Sequence, residues 1–365
     1  MYKRQHYNNK AFEYSALTPI PKFRISSGNG FGAELLVTKT TQGFNKPDFA
    51  KKYQMKLIWY SINAQRLDLK STYRHAVKDW DLGLHLRLSS LYDKNPFFYG
   101  FGNETIRDSD LFEDNYYRTD FKTIRFTPSL EKKFLYKSKF RYGLTYEYND
   151  VEAAEEEASI FLEPQFQNIN GGGILHLGGI FTEFDLDFRD NPKFSTNGAQ
   201  LYFEHYLYTN FTEDGAFFGR LEAYASQYFS IMPVTFAVRV GAAQAYGDAP
   251  FYHLPALGSN NYLRAFFRNR FVGDRTAFLN TEARLSLGTL RTPLFPVKWG
   301  LFSFFDSGRV WLDGVTEPKN WHQDWGAGFY LAPLSEEFNV VFTFAKSSEQ
   351  QDKFYFSISV GFDLQ

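Results

Sequence analysis

The sequence of 365 residues contains no cysteine and no long hydrophobic run. Without thiols it can form neither a disulfide framework nor a thiolate metal site. No stretch approaches the 18 or more apolar residues that a membrane-spanning helix requires. The net charge is −1, and there is no basic stripe of the kind that binds nucleic acid. These absences exclude disulfide-rich and helical membrane proteins, and they argue against a nucleic-acid partner.

The usual signatures of catalysis and metal binding are also missing. The seven histidines include no His-Glu-x-x-His motif and no pair four residues apart, so a zinc site is not expected. Two acidic clusters, at 108–114 and 152–157, lack the spacing of a calcium-binding EF-hand loop and are interpreted as solvated loops. No Gly-x-Ser-x-Gly nucleophile elbow occurs. We therefore expect a protein that is not an enzyme and that needs neither a metal nor a cofactor.

Aromatic side chains are abundant. The chain has 41 Phe and 24 Tyr, an aromatic content of 19%, and a mean hydropathy of −0.40. A soluble protein of this length usually shows long segments of helical period, and none is apparent. Aromatic excess with low hydropathy is typical of transmembrane β-barrels, in which alternate residues face lipid and aromatic girdles mark both interfaces.

Apolar and polar residues alternate almost from end to end. In 79–91, for example, Leu84 and Leu86 share one face, whereas Arg87 lies on the other. Many of these segments are about 10–13 residues long, which suffices to cross a bilayer at a tilt, whereas strands of soluble sandwiches are typically about 5–6 residues long. Full charges on the polar faces, such as Arg141, suit a water-accessible lumen. The pattern predicts an all-β, antiparallel transmembrane β-barrel.

The chain is divided into a short N-terminal segment and one barrel. Residues 1–29 are predicted to be a periplasmic lead-in, and residues 30–365 the barrel. The connection 247–274 is long and is expected to be extracellular. The stretch 92–114 is also long, although the alternation of loops requires a short turn there, so we expect a miscounted strand nearby. The predicted strands number sixteen, an even number as bacterial barrels favour, at 30–39, 52–62, 66–75, 79–91, 115–127, 136–149, 158–166, 171–186, 198–208, 216–228, 233–246, 275–288, 297–311, 324–332, 337–346 and 353–364.

One arginine in the long connection has acidic candidates on the next two strands. Arg264 precedes the strand in which Glu282 takes the inward parity, and Asp306 takes it on the strand after. A charge inside a membrane-spanning element almost always points inward and finds a partner. The planar guanidinium suits pairing with carboxylates. We predict that Arg264 bridges both acids; the alternative is a solvated loop arginine and two acids that tune the charge of the lumen.

The block 253–311 resembles the C-terminal barrel of the Omp85 family, outer-membrane proteins that insert or export other proteins. It carries Leu-Arg-Ala-Phe at 263–266 and Asp-Ser-Gly-Arg-Val-Trp at 306–311. The resemblance implies that the long loop folds back into the lumen and is locked to the wall. The residues of this implied lock are Arg264, Phe266, Glu282, Asp306 and Gly308. The family's loop usually has glycine where this chain has Ala265.

Two further segments extend the resemblance. Asp-Phe-Arg-Asp-Asn-Pro at 187–192 is similar to the family's Asp-x-Arg-Asn turn before a mid-barrel strand. The residues of this turn motif are Asp187, Arg189, Asn191 and Gly198. The segment 98–104 is similar to one that is common in Omp85 barrels of Bacteroidota. No POTRA repeat, the periplasmic module that recruits substrates in the family's insertases, is recognisable.

The last alternating segment resembles an outer-membrane assembly signal, which is recognised by strand addition. Its apolar face carries Phe356, Ile358 and Val360, and Gly361 precedes the terminal aromatic residue Phe362. By family analogy, the first and last strands form a weakly paired seam that opens laterally.

The resemblance implies insertion or translocation of proteins, or of lipids, at the outer membrane of a Gram-negative bacterium. The expected partners are outer-membrane lipid and lipopolysaccharide, client proteins, and an upstream periplasmic domain outside this sequence. Residues 1–4 lead into polar sequence without the apolar region of a signal peptide, so the leader is also expected outside it. Two alternatives remain: a porin-like passive channel with the long loop as its constriction, and an inert anchor for a metallophosphatase-like domain.

Overall fold

A computed structural model gives the fold of the chain. The residues that the structure describes are 15–26, 30–43, 49–61, 65–90, 97–153, 159–212, 215–258, 262–293, 295–315, 320–333, 339–349 and 355–360. No helix among them is long and apolar enough to span a membrane. Within these residues, one short α-helix, Ser109–Glu113, and two 3-10 helices, Ile160–Leu162 and Phe251–His253, interrupt a succession of strands and their connections.

The strands are numbered in chain order. They are β1 (Ala16–Ser26), β2 (Gly30–Thr41), β3 (Lys51–Tyr60), β4 (Gln65–Val77), β5 (Trp80–Ser90), β6 (Thr119–Lys133), β7 (Lys139–Ala153), β8 (Gly173–Asp187), β9 (Gly198–Asn210), β10 (Phe217–Ile231), β11 (Val234–Gly247), β12 (Ala256–Leu257), β13 (Phe271–Val272), β14 (Arg275–Arg291), β15 (Pro296–Trp311), β16 (His322–Pro333), β17 (Val340–Ser347) and β18 (Tyr355–Val360).

Sixteen of these strands form one antiparallel sheet in which each strand pairs with the next along the chain. The two short strands β12 and β13 pair with each other inside the connection between β11 and β14. The order runs from β1 to β18, and within the described residues no pairing joins these two end strands. The predicted all-β architecture of sixteen antiparallel strands is confirmed.

The residues that alternate along the sequence lie on opposite faces of the sheet. In β14 the even-numbered residues are buried as far as Arg284, and the odd-numbered ones are partly exposed. The buried face carries charges, and these are paired: Asp68 accepts hydrogen bonds from Arg66 Nε at 2.6 Å and from Arg87 Nε at 2.8 Å. The opposite face exposes apolar side chains such as Leu144 and Leu201. The sheet therefore has a polar inner face and an apolar outer face, as a membrane barrel requires.

Two strand predictions were wrong, and their errors cancel in the count. The predicted lead-in 1–29 contains β1, which pairs with β2 along its whole length. The predicted strand 158–166 instead contains the 3-10 helix Ile160–Leu162, because its apolar residues pack into an aromatic cluster and not onto a sheet face. Sequence patterning alone does not separate these two uses of a short apolar run.

The corrected strand order also explains the long stretch at 92–114. With β1 included, the connections 91–118, 154–172, 248–274 and 312–321 all lie at one end of the sheet, here called the loop end. The connections 78–79, 134–138 and 232–233 are short and lie at the opposite end, here called the turn end. The irregular alternation of loop lengths in the first half was a consequence of the misplaced strand.

Aromatic packing joins three of the long connections above the sheet. The ring of Phe98 lies 5.5 Å from that of Phe161 and 5.1 Å from that of Phe251, so 91–118, 154–172 and 248–274 meet at one point. The side-chain oxygen of Asn103 accepts a hydrogen bond from Val310 N at 3.2 Å, and its amide nitrogen donates to Asn320 O at 3.0 Å. These contacts hold 91–118 against the ends of β15 and β16. The connections form a cap over the loop end.

Candidate functional site in the connection 248–274

The connection 248–274 reaches strands far apart in the sheet. His253 lies 3.4 Å from Glu147 of β7, and Ala265 N donates to Asp324 of β16 at 3.1 Å. The ring of Phe267 lies 5.8 Å from that of Tyr355 on β18. One segment can contact the inner faces of β7, β16 and β18 only if the sheet curls around it. The connection therefore occupies the lumen that the sheet encloses.

Arg264 is the centre of this contact. Its Nε and Nη2 donate to the two carboxylate oxygens of Asp306 at 2.7 and 2.8 Å, and its Nη1 donates to Glu282 Oε2 at 2.7 Å. The guanidinium also lies 3.9 Å from the centre of the Phe304 ring. Three directed hydrogen bonds and one ring face fix its position from several sides. The structure thus brings together Arg264, Glu282 and Asp306, the three charged residues that the sequence predicted to meet.

Buried charged side chains surround Arg264 in the lumen. Burial alone would lower the pKa of Arg264, but Asp306 and Glu282 outweigh it and raise this pKa above its usual value. Glu282 also accepts a hydrogen bond from Arg284. A third acid, Asp324, is fully buried and lies directly opposite Asp306 in the strand register. The cation of Arg264 is thus held between the carboxylates of Asp306 and Glu282.

The other two predicted residues of the lock shape the contact between loop and wall. Phe266 is 2% exposed and packs with Leu257, Phe271 and Val310. Gly308 leaves room for the loop, because a Cβ at this position would lie 2.8 Å from Leu257 Cδ1. Ala265 does not adopt a positive φ, so the replacement of the family's glycine does not strain the backbone here.

Two residues that sequence reasoning missed extend the anchoring. Tyr262 donates to Glu222 of β10, and its ring stacks on Phe278 at 3.5 Å. Burial and the Glu222 carboxylate raise the pKa of the Tyr262 hydroxyl, which keeps it a neutral donor. Arg270 is fully buried and donates to the Glu349 carboxylate, beside the last hairpin.

Arg270 also ties the connection to the cap. Its Nη1 donates to Thr105 Oγ1 at 2.6 Å, and the guanidinium lies 4.6 Å from the centre of the Phe271 ring. Arg270 therefore joins three connections at the loop end: 91–118, 248–274 and 348–354. The sequence offered no signal that separates Arg270 from Arg268, because both lie outside any alternating pattern.

The predicted turn motif lies at the turn end. Arg189 makes a two-bond contact with Asp187, with Nε to Oδ1 and Nη2 to Oδ2 both at 2.9 Å. Asn191 Oδ1 accepts from Lys193 N at 3.0 Å. Gly198 has φ +108°, and a Cβ there would lie 2.3 Å from Phe188 O, so only glycine fits. All four predicted residues shape the turn itself.

This turn also crosses the lumen. Ser195 O accepts a hydrogen bond from Arg284 Nη1 of β14 at 3.1 Å, and the ring of Phe194 lies 5.3 Å from that of Tyr330 on β16. Asn339 Nδ2 donates to Lys193 O at 3.3 Å. The connection 188–197 therefore folds inward from β8 and β9 and covers part of the turn end. The sequence predicted the motif but not this second closure.

The predicted seam residues are only partly within the described part of the chain. Phe356 pairs with Phe344 of β17, with ring centroids 5.0 Å apart, and is 53% exposed on the outer face. The backbones of Ile358 and Val360 pair with β17 as well. Gly361 and Phe362 lie outside the described residues.

The fold and the site define a β-barrel whose lumen is occupied by its own long loop. The Omp85 superfamily domain matches residues 38–362, so the chain belongs to this superfamily. The predicted family resemblance is therefore confirmed. No curated protein sequence matches the chain.

Solved structures show the same fold at low sequence identity. BamA from Haemophilus ducreyi lacking POTRA domains 1–3 is 14% identical with a TM-score of 0.66, over 96% of this chain and 70% of that chain. CdiB from Acinetobacter baumannii is 10% identical with a TM-score of 0.54, over 96% of this chain and 66% of that chain. CdiB from Escherichia coli is 12% identical with a TM-score of 0.55, over 94% of this chain and 62% of that chain.

Proposed function

We propose that this protein inserts or translocates polypeptides, or lipids, at the outer membrane of a Gram-negative bacterium. Membership of the Omp85 superfamily and the likeness in fold to BamA and CdiB support this proposal. The observation that carries it is the occupied lumen, in which Arg264 holds the long connection on Asp306 and Glu282. Such a lumen suits controlled opening for a client chain better than steady passage of solutes.

A passive pore would need a continuous wet path through the lumen. A cavity of about 240 Å³ lies between β6, β9, β10 and the loop. The cap covers the loop end, and the connection 188–197 covers part of the turn end. The connections that occupy the lumen and cover its ends support controlled opening over steady passage of solutes.

The proposed partners follow from the two faces of the sheet. The exposed apolar outer face fits the acyl chains of membrane lipid and the lipid part of lipopolysaccharide. Client proteins would meet the lumen or the seam. The function as an anchor for an upstream periplasmic domain remains an alternative, and it predicts a barrel with no effect on other membrane proteins.

Liposomes that contain the purified protein test the proposal directly. A urea-unfolded eight-stranded barrel protein is added, and its folded fraction is followed by gel mobility, with empty liposomes and liposomes holding an unrelated porin as controls. We expect folding at least several times faster than in either control. No acceleration together with a large steady current would identify a passive pore, and no acceleration without current would identify an anchor.

A further inference from the structure

One carboxylate lies between the two connections that enter the lumen from opposite ends. Glu282 Oε2 accepts a hydrogen bond from Arg264 Nη1 at 2.7 Å, and its Oε1 accepts one from Arg284 Nε. Arg284 Nη1 in turn donates to Ser195 O at 3.1 Å. Three hydrogen bonds therefore link the long connection to 188–197 through Glu282 and Arg284.

Both residues in the middle of this link are buried. The side chains of Glu282 and Arg284 are each 2% exposed. Where water is excluded, hydrogen bonds between charged groups are strong and directed, and a group that loses its partner finds no replacement. Because Arg264 and Arg284 share one carboxylate, the position of Glu282 depends on both arginines. The same carboxylate that holds Arg264 therefore also places the donor that Arg284 offers to Ser195 O.

A packed apolar cluster lies beside the charged link. It includes one residue of each connection and three residues of the strands: Phe194, Ala265, Phe302, Phe304 and Tyr330. The ring centre of Phe194 lies 6.0 Å from the guanidinium carbon of Arg284, and that of Phe304 lies 3.9 Å from the guanidinium carbon of Arg264. Close-packed side chains change between discrete arrangements and do not deform gradually. A shift of one connection therefore disturbs the packing of the other.

The two contacts lie next to each other on β14. Glu282 and Arg284 are successive buried residues on the inner face of this strand. Residues two positions apart in a strand are separated by about 7 Å. The contact of Arg264 and the contact of Ser195 therefore use neighbouring inward positions of a single strand, so a change at one contact reaches the other directly.

We propose that the two closures of the lumen open together: release of the long connection from Glu282 loosens the connection 188–197, and the reverse also holds. This inference rests on the proposed function, since it names how the occupied lumen is regulated. Without Arg264, the Glu282 carboxylate turns to Arg284 alone, and the donor to Ser195 O loses its fixed position. Coupling between two sites is reciprocal by thermodynamic necessity. A client that displaces one closure thereby weakens the other.

Hydrogen exchange of the connection 188–197 in the refolded protein tests the coupling. Its amides make local bonds, such as that from Asp190 N to Asn197 O at 3.0 Å, so their exchange reports opening of the turn. We expect Arg264→Ala to accelerate this exchange by at least about five-fold. Arg270→Ala is the matched control, because it removes another buried anchor of the long connection without touching the shared carboxylate. It should change the exchange by less than about two-fold.

Arg284 is tested by a comparison of single and double variants. Arg284→Met removes the guanidinium, keeps a long side chain and leaves Glu282 paired with Arg264. It should itself accelerate exchange in 188–197. In this background Arg264→Ala should add less than about two-fold, because the link is already cut. An equal acceleration by Arg264→Ala in both backgrounds, or none in the natural background, would overturn the inference.

The reverse direction is tested from the turn end. Phe194→Ala loosens the packing of 188–197, and exchange in 262–272 should become faster, because coupling acts in both directions. Phe188→Ala is the matched control, since Phe188 belongs to the same connection and is 44% exposed. It should leave exchange in 262–272 unchanged. The same lack of change in Phe194→Ala would contradict the coupling.

Heat-dependent gel mobility verifies folding, and exchange in 65–90 is the internal reference that reveals general destabilisation. Arg264→Lys keeps the charge without the planar fork, and it replaces Arg264→Ala if that variant does not fold. The outcome is separable from that of the proposed function. Coupled exchange in a protein that does not accelerate barrel folding in liposomes would keep this inference and overturn the function. Acceleration together with independent exchange of the two connections would do the reverse.

Discussion

Arg264 and Asp306 meet side by side, with two parallel hydrogen bonds of 2.7 and 2.8 Å between a loop residue and a strand residue 42 positions later. Glu282 adds a third bond at 2.7 Å, and Phe304 covers the guanidinium face. Because β14 and β15 are adjacent strands, the side chains of Glu282 and Asp306 lie close together on the inner face of the sheet. This contact and the packing of Phe266 hold the middle of the connection 248–274 against the strands.

Gly308 permits the close approach of the loop to the wall. In Gly308→Val, the new side chain would collide with Leu257 and push β12 away from β15. Overpacking of this kind typically costs about 1–3 kcal/mol. We expect a lower urea midpoint for unfolding, measured by gel mobility. Leu257→Ala in the same chain should recover part of the loss, and a double variant whose cost equals the sum of the single costs would contradict the assigned contact.

Arg270 is a second anchor of the connection. Arg270→Ala should leave Glu349 without its partner and free the connection from the cap. The cost should fall below the roughly 3–5 kcal/mol of a fully buried pair, because the Glu349 side chain is 26% exposed. Hydrogen exchange should become faster in 97–108 and in 340–349, on both sides of the lost contact. Arg291→Ala, at an exposed position, is the control and should change neither segment. Unchanged exchange in Arg270→Ala would show that the aromatic cap suffices.

The turn at 188–197 should lose stability in acid. Partial burial would raise the pKa of Asp190, but hydrogen bonds from Thr196 and from backbone N–H groups outweigh it and hold this pKa below its usual range. The stabilisation is therefore complete above the unfolded value of about 3.9 and is lost as pH falls through the lower folded value.

Thr196→Ala removes the strongest of these hydrogen bonds and tests this pH dependence. We expect the variant to unfold at lower urea concentration than the natural protein at pH 7, and the difference to shrink as pH falls below about 4 and through the lower folded pKa of Asp190. Thr289→Ala, at an exposed position, should show no such pH-dependent difference. A difference that persists unchanged in acid would assign the effect to packing and not to Asp190.

The contact of Arg264 with Glu282 and Asp306 was predictable, because it is determined by the alternation of residues within each strand and by the order of the strands along the chain. Once β14 and β15 are recognised as alternating strands, Glu282 and Asp306 must face inward, and Arg264 lies in the connection that precedes them. Asp324 obeyed the same rule and could have been found, since it begins the next predicted strand. Arg270 could not be found in this way, because its partners Glu349 and Thr105 lie in connections whose paths depend on tertiary packing.

The first strand was missed for a physical reason. Pro19 and Pro21 argue against a strand in the middle of a sheet, where each would remove a hydrogen bond. At an edge the missing N–H groups point away from the neighbouring strand, so β1 forms despite them. The segment 158–166 was wrongly predicted to be a strand. Its apolar residues pack into the cap, and the sequence alone does not distinguish such residues from those of a strand.

The most direct test of the closed lumen is single-channel conductance of the refolded protein beside its Arg264→Ala variant. The substitution leaves Asp306 and Glu282 without the cation between them, and breaking a buried pair in this way costs about 3–5 kcal/mol. Arg291→Ala serves as the control. We predict a low current for the natural protein and for the control, and a clearly higher current for Arg264→Ala. A large, steady current in all three would contradict a lumen closed by the locked loop.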